Sequence, residues 1–139
     1  MANEVFLVDT SAWLFALRKD ANPEIKSRLD TLLREDAVVT TGIIKLELLG
    51  GTRTRKEFSR LMRRLDALPY VSMEGPLLWD LAYETAFNLR RKGLTIPYTD
   101  ILIASAAIKE NVILLHADFH FDQVARHSTL RVESFVDRI

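Results

Sequence analysis

Apolar residues along this chain fall into two kinds of pattern. The first is the short unbroken run that halts at polar residues. Val5-Phe6-Leu7-Val8 stops at Asp9-Thr10-Ser11, and Val112-Ile113-Leu114-Leu115 stops at His116-Ala117-Asp118. Runs of that length, rich in β-forming residues, predict strands buried on both faces. Ala37-Val38-Val39-Thr40 predicts a further strand, Tyr70-Val71-Ser72 a brief one and Leu130-Arg131-Val132 a last one. The second pattern is recurrence every three or four positions, the signature of a helix with one apolar face. It predicts a helix from near Ala12 with Thr10 or Ser11 as cap, and one opening on Pro23 with Ile25, Leu29, Leu32 and Leu33 inward. Others are predicted from Gly42 to Leu49, Thr54 to Leu68, Pro76 to Lys92, Asp100 to Lys109 with Thr99 as cap, and Phe121 to Arg126. Gly50-Gly51, Pro69 and Gly93 stand where three of these must end.

Strands alternating with helices predict an α/β fold with a mostly parallel sheet and right-handed crossovers. No linker or internal repeat divides residues 1–139, so a single domain is expected. Ligands of such sheets gather beyond the carboxyl ends of the strands, near a switch in strand order. Asp9 and Asp118 fall there, and Asp100 opens a helix after Thr95-Ile96-Pro97-Tyr98.

Composition narrows the chemistry. Apolar residues make up 48% and charged residues 27%, which excludes a disordered or collagen-like chain. Absence of cysteine excludes a disulfide scaffold, a zinc finger, an iron–sulfur site and a thiol nucleophile. No apolar run is long enough to span a bilayer, and Met-Ala-Asn-Glu-Val lacks the features of a signal peptide, so a cytoplasmic protein without membrane contact is expected. Nineteen Lys and Arg balance nineteen Asp and Glu. Bulk charge therefore gives no hold on a polyanion, although pooling several acids at one place leaves the remaining surface net basic.

Taken singly, Asp9, Asp100 and Asp118 have ordinary readings as helix caps, dipole partners or turn residues. Glu47, between Leu46 and Leu48 and one turn after Ile43 and Ile44, is expected to be part-buried, where a lone carboxylate is costly. Together they suggest more, because clustered carboxylates repel unless a cation neutralises them. Without cysteine, an oxygen ligand set points to Mg²⁺ or Mn²⁺. Such ions bind phosphate, activate water and steady a leaving oxygen, which makes phosphodiester hydrolysis the natural reaction. The basic stretch Arg53, Arg55, Lys56, Arg60, Arg63 and Arg64 is either a solvated helix face or a track for a polyanion. Arg18, Lys19 and Lys45 lie nearer in sequence to the acids and are candidate phosphate contacts, with Arg53. Phe58, Leu61, Met62 and Leu65 read as core, while Trp13, Phe15 and Trp79 read as core or interface.

Four segments carry a resemblance to a known family: Val8-Asp9-Thr10-Ser11, Ile44-Lys45-Leu46-Glu47-Leu48-Leu49-Gly50-Gly51, Tyr98-Thr99-Asp100-Ile101-Leu102-Ile103-Ala104, and Leu114-Leu115-His116-Ala117-Asp118-Phe119-His120-Phe121-Asp122. In order and spacing they resemble the motifs of PIN-domain ribonucleases, and in particular VapC-type toxins of type II toxin–antitoxin pairs. The resemblance implies a three-layer α/β/α sandwich around about five mostly parallel strands. It implies a Mg²⁺- or Mn²⁺-dependent endoribonuclease with Asp9 and Asp100 as principal metal ligands. Glu47 would be a ligand or water-positioning residue, Asp118 would complete the pocket, and Thr10 or Ser11 would orient Asp9. Water would attack a phosphodiester of RNA in line, leaving 5′-phosphate and 3′-hydroxyl ends. A cognate antitoxin and a homodimer are the implied partners, the antitoxin lying in a groove beside the Phe58 stripe.

The last motif departs from the family pattern. His120 stands where an acid often precedes the Phe, which leaves open whether Asp122 joins Asp118 at the metal. His120 is expected to be structural or substrate-facing, and His116 and His127 carry no assigned role. Three alternatives stay in view: a structure-specific DNA nuclease, a non-catalytic RNA-binding module of the same fold, and a phosphoryl-accepting domain. The last usually wants a second acid at the first strand, where this chain has Ser11.

Overall fold

The computed structural model describes residues 3–139. Four short strands form one parallel sheet: β1 (Phe6–Val8), β2 (Val38–Val39), β3 (Ile113–His116) and β4 (Val132–Ser134), in the spatial order β2-β1-β3-β4. Seven α-helices surround it: α1 (Thr10–Leu17), α2 (Pro23–Arg34), α3 (Gly42–Gly50), α4 (Arg55–Asp66), α5 (Pro76–Arg91), α6 (Tyr98–Glu110) and α7 (Phe119–Arg126), with a final 3₁₀ turn at Val136–Arg138. α1 packs on α2 and α3, and α6 packs between α5 and α7. The helices thus form two layers on the sheet, giving the expected α/β/α sandwich.

β1, β2 and most of β3 are apolar because helices cover both faces of the sheet, whereas the edge strand β4 (Val-Glu-Ser) is only half-buried. Leu7, Val8, Leu114 and Leu115 have no exposed surface. Trp13 of α1, Ile25 and Leu32 of α2, Ile44 of α3, Ile103 of α6 and Phe121 of α7 are equally enclosed and complete one continuous core. The chain runs from β1 outward to β2, then returns to place β3 on the other side of β1. The switch in strand order lies between β1 and β3, whose carboxyl ends lead directly to Asp9 and Asp118.

Four boundary expectations are corrected. The sheet has four strands, because Tyr70 makes only an isolated parallel bridge to Thr40. Two backbone bonds carry that bridge, Thr40 N–H to Pro69 O and Val71 N–H to Thr40 O, and Pro69 itself has no N–H to extend it. The last strand is shifted from Leu130–Val132 to Val132–Ser134, since Ser128 turns the chain by accepting from Leu130 N–H and Leu130 is buried ahead of the strand. α6 begins at Tyr98 with Pro97 in the cap position, so Thr99 lies inside the helix and caps nothing. α1 and α7 begin at Thr10 and Phe119, earlier than expected, because the caps are Asp9 and Asp118 themselves.

Elsewhere the punctuation is as the sequence suggests. Pro23 opens α2 behind an Asn22 cap, and Gly93, at φ +79°, turns the chain out of α5. Across the molecule, Arg28 of α2 makes a two-point contact with Glu133 of β4, Nε to Oε2 at 2.8 Å and Nη2 to Oε1 at 3.0 Å. Leu7 sits on a central strand with no exposed surface, so Leu7→Ala is expected to cost about 2–5 kcal/mol in chemical denaturation. A loss below about 1 kcal/mol would show that β1 is not packed as described.

Candidate active site

Asp9 follows β1 directly and is 4% exposed. Its backbone N–H donates to Leu115 O across the β1–β3 pair at 2.9 Å, which fixes the residue at the sheet's switch point. Its Oδ2 accepts from Ser11 N–H at 2.9 Å and Ser11 Oγ at 2.5 Å. Ser11 Oγ in turn accepts Ala117 N–H at 3.0 Å. One hydroxyl therefore ties the ends of β1 and β3 together and holds the carboxylate between them. Thr10 does not orient Asp9; its Oγ1 donates to Glu47 Oε1 at 2.8 Å.

Asp118 caps α7 in the same way, Oδ1 accepting from His120 N–H at 2.9 Å. Asp100, in the first turn of α6, projects toward the same place with its side chain 13% exposed. His120 Nδ1 lies 3.2 Å from Asp100 Oδ2 and 3.4 Å from Asp118 Oδ1. One ligand atom from each of Asp100, Asp118 and His120 falls within 4.8 Å of the others.

The electrostatics link all four acids. Burial, and after it the nearby Asp118 and Asp9 carboxylates, push the Asp100 carboxyl up to about 6 against the opposing effect of His120. Burial also raises Asp9; the Ser11 hydrogen bonds resist that shift and the Glu47 carboxylate adds to it. Asp100 therefore feels Asp118 and Asp9, and Asp9 feels Glu47, while neither Asp9 nor Glu47 belongs to the close group of Asp100, Asp118 and His120. Glu47 departs from expectation in being solvent-exposed: α3 turns it outward toward Thr10 while Ile44 and Leu48 face the core.

Asp122 is not brought into this cluster. Its Oδ2 accepts from Ser134 Oγ at 3.0 Å, and its Oδ1 faces His116 Nε2 at 3.1 Å. His116 is fully buried and has a structural part that sequence reasoning did not assign. Its Nδ1 accepts Asp118 N–H at 3.2 Å, so the ring proton sits on Nε2, close to Asp122 but poorly aligned with it. Burial lowers its pKa and keeps the ring neutral, with Asp122 acting against the shift. His120, expected to be structural or substrate-facing, lies against two of the acids. Its position two residues after Asp118 does not reveal that the α7 cap turns the ring back over Asp100.

The candidate cations are placed variously. Lys45 Nζ is engaged by Asp66 of α4 at 2.7 Å. Arg18 lies over the Phe15 ring, 4.5 Å from its centre, and Lys19 and Arg53 are exposed. Lys56, Arg60 and Arg64 line an open cleft of about 500 Å³ between the end of α1, at Leu17, and α4. Phe58, Leu61 and Met62 are half-buried beside it and Leu65 is fully buried.

The protein is thus a parallel α/β domain with a cluster of acidic side chains at its topological switch. Residues 6–127 match the PIN domain, and the chain belongs to that family. Ribonuclease VapC11 of Mycobacterium tuberculosis is 30% identical over 135 residues, spanning 94% of this chain and 99% of the relative. Ribonuclease VapC18 of the same organism is 28% identical, spanning 96% and 97%. Among solved structures, VapBC2 from Rickettsia felis bound to a promoter DNA fragment superimposes with a TM-score of 0.77 at 24% identity, covering 94% of this chain and 98% of that one.

The donor set fits a hard divalent cation. Its oxygens carry more negative charge than their surroundings tolerate, as the raised carboxyls of Asp9 and Asp100 record. Below pH 3.8 Asp100 is protonated in both the folded and the unfolded chain and contributes nothing. Between 3.8 and about 6 the unfolded chain releases the proton and the folded chain keeps it, so stability falls; above that range the whole penalty is present, at most about 3 kcal/mol. With chelator present, Asp100→Asn is expected to be more stable than wild type by about 1–3 kcal/mol near neutral pH, the gain shrinking toward about pH 5. Thermal denaturation across pH checks this, and a variant less stable than wild type at neutral pH would contradict it. Ser11→Ala leaves Ala117 N–H without its partner and is expected to cost about 1–3 kcal/mol by the same measurement.

Proposed function

We propose that this chain is a divalent-metal-dependent endoribonuclease acting as the toxin of a toxin–antitoxin pair. The observation that carries the reading is the convergence of Asp100, Asp118 and His120 within 4.8 Å of one another at the sheet's switch point, in a PIN domain whose curated relatives are ribonucleases. Asp9, Asp100 and Asp118 are the residues that would hold Mg²⁺ or Mn²⁺, with Glu47 at the rim. A bound divalent ion would polarise the scissile phosphate, help generate the attacking hydroxide and steady the leaving oxygen.

This chain's own residues do the positioning. Ser11 locks Asp9 in one rotamer between the ends of β1 and β3, and Thr10 does the same for Glu47. Glu47 is the exposed acid, free to hold and orient the water that attacks in line. The expected products carry 5′-phosphate and 3′-hydroxyl ends. The cations of α4 offer contacts to a phosphate backbone, which are sequence-independent and salt-sensitive.

The VapC relatives also suggest the partners: an RNA substrate, a cognate antitoxin on the cleft beside α4, and a second copy of the chain as homodimer. No helix among the described residues is long and apolar enough to cross a membrane, which is compatible with a cytoplasmic toxin.

Purified protein is expected to cut single-stranded RNA with Mg²⁺ or Mn²⁺ and to lose activity with EDTA. Asp9→Asn is expected to lower the rate by at least about 100-fold, the scale of removing one electrostatic element from a site. Cleavage that survives both chelator and substitution would overturn the mechanism, and equal cleavage of DNA would overturn the substrate assignment.

A further inference from the structure

Resting on the reading of this pocket as a metal centre, we propose that His120 supplies a nitrogen ligand that biases the site toward Mn²⁺ over Mg²⁺. The ring nitrogen that hydrogen-bonds Asp100 in the metal-free protein is also spaced to serve as a ligand. Around an ion held at about 2.1 Å, donors on adjacent corners of an octahedron are about 3 Å apart. His120 Nδ1 lies 3.2 Å from Asp100 Oδ2 and 3.4 Å from Asp118 Oδ1, close to that spacing on both sides. The residue is held there by its own N–H, which donates to Asp118 Oδ1 at 2.9 Å, and by Phe119, whose ring centre is 5.8 Å from the imidazole. Its side chain is 33% exposed, so the ring can meet an ion without unpacking the core.

Chemistry gives the selectivity. Mg²⁺ favours oxygen donors and keeps its waters, whereas imidazole suits transition-metal ions. Replacing one carboxylate by imidazole in an acidic pocket removes a negative charge, which weakens Mg²⁺ most. It also adds a bond from which Mn²⁺ gains more. Asp122, the nearest further acid in sequence, is engaged by Ser134, lies against His116 and does not join the group.

The test uses wild type, His120→Asp and His120→Gln, each checked by thermal unfolding. Mn²⁺ bound to wild type is expected to show nitrogen coupling from a directly bound imidazole in pulsed electron paramagnetic resonance, absent in both variants. Titration calorimetry is expected to show the Mn²⁺-to-Mg²⁺ affinity ratio falling by about tenfold or more in His120→Asp. Mn²⁺ bound to wild type without nitrogen coupling would overturn the proposal, and would show His120 acting only as a hydrogen-bond partner of Asp100. An affinity ratio unchanged in His120→Asp would do the same. Metal-dependent RNA cleavage by wild type in either event would leave the ribonuclease reading standing, whereas no metal binding by wild type would end both.

Discussion

Carboxylates that repel one another, forced together by the ends of neighbouring strands, are the constraint on which this structure turns. β1 and β3 pair in register and hand the chain to two helices whose caps are Asp9 and Asp118. Capping and acidic chemistry are therefore the same feature. A cap needs an acceptor oxygen at the strand-to-helix turn, and a parallel sheet places such turns side by side at its carboxyl edge. α6 then brings Asp100 into the gap, where neither water nor a neighbouring cation fully compensates its charge. The charge that burial leaves poorly compensated at Asp100 lies where, on the proposed function, a divalent ion would bind.

That penalty is supported by a small set of neutral contacts. Ser11 bridges Asp9 to the backbone after β3, Thr10 reaches Glu47 on α3, and the buried His116 links the Asp118 backbone to Asp122 and so to β4. Ser11 and Thr10 hold their acids by hydrogen bonds from uncharged hydroxyls, and the neutral His116 ring accepts the backbone N–H of Asp118. Rigid placement is what a metal centre requires, since ligands that could swing apart would escape their repulsion and bind an ion weakly.

Much of this was legible in the sequence because apolar runs and their polar stops are local signals. The two central strands and the positions of Asp9 and Asp118 follow from Val5–Val8 and Val112–Leu115 alone, and every helix was foreseen within a few residues. What the sequence hid depends on contacts between distant segments. Tyr70-Val71-Ser72 has strand-forming residues, yet only one residue finds a partner, on Thr40. Glu47 sits among leucines, which suggested burial, but its direction is set by how α3 leans on α1. His120 was expected to be structural or substrate-facing, and sequence alone gave no sign of which acids it meets. Its neighbours in space are Asp100, on another helix, and Asp118, through the turn of the cap.

Asp100 is raised in pKa by its buried, acidic surroundings, and on the proposed function a bound cation would bring it back down. Carbon-13 resonance of its side-chain carboxyl, followed through a pH titration with and without Mg²⁺, tests this directly. The expected midpoint is about 6 in the metal-free protein, falling below the usual carboxylate range when Mg²⁺ is present. A midpoint near that of an ordinary aspartate, unmoved by saturating divalent ion, would contradict the account.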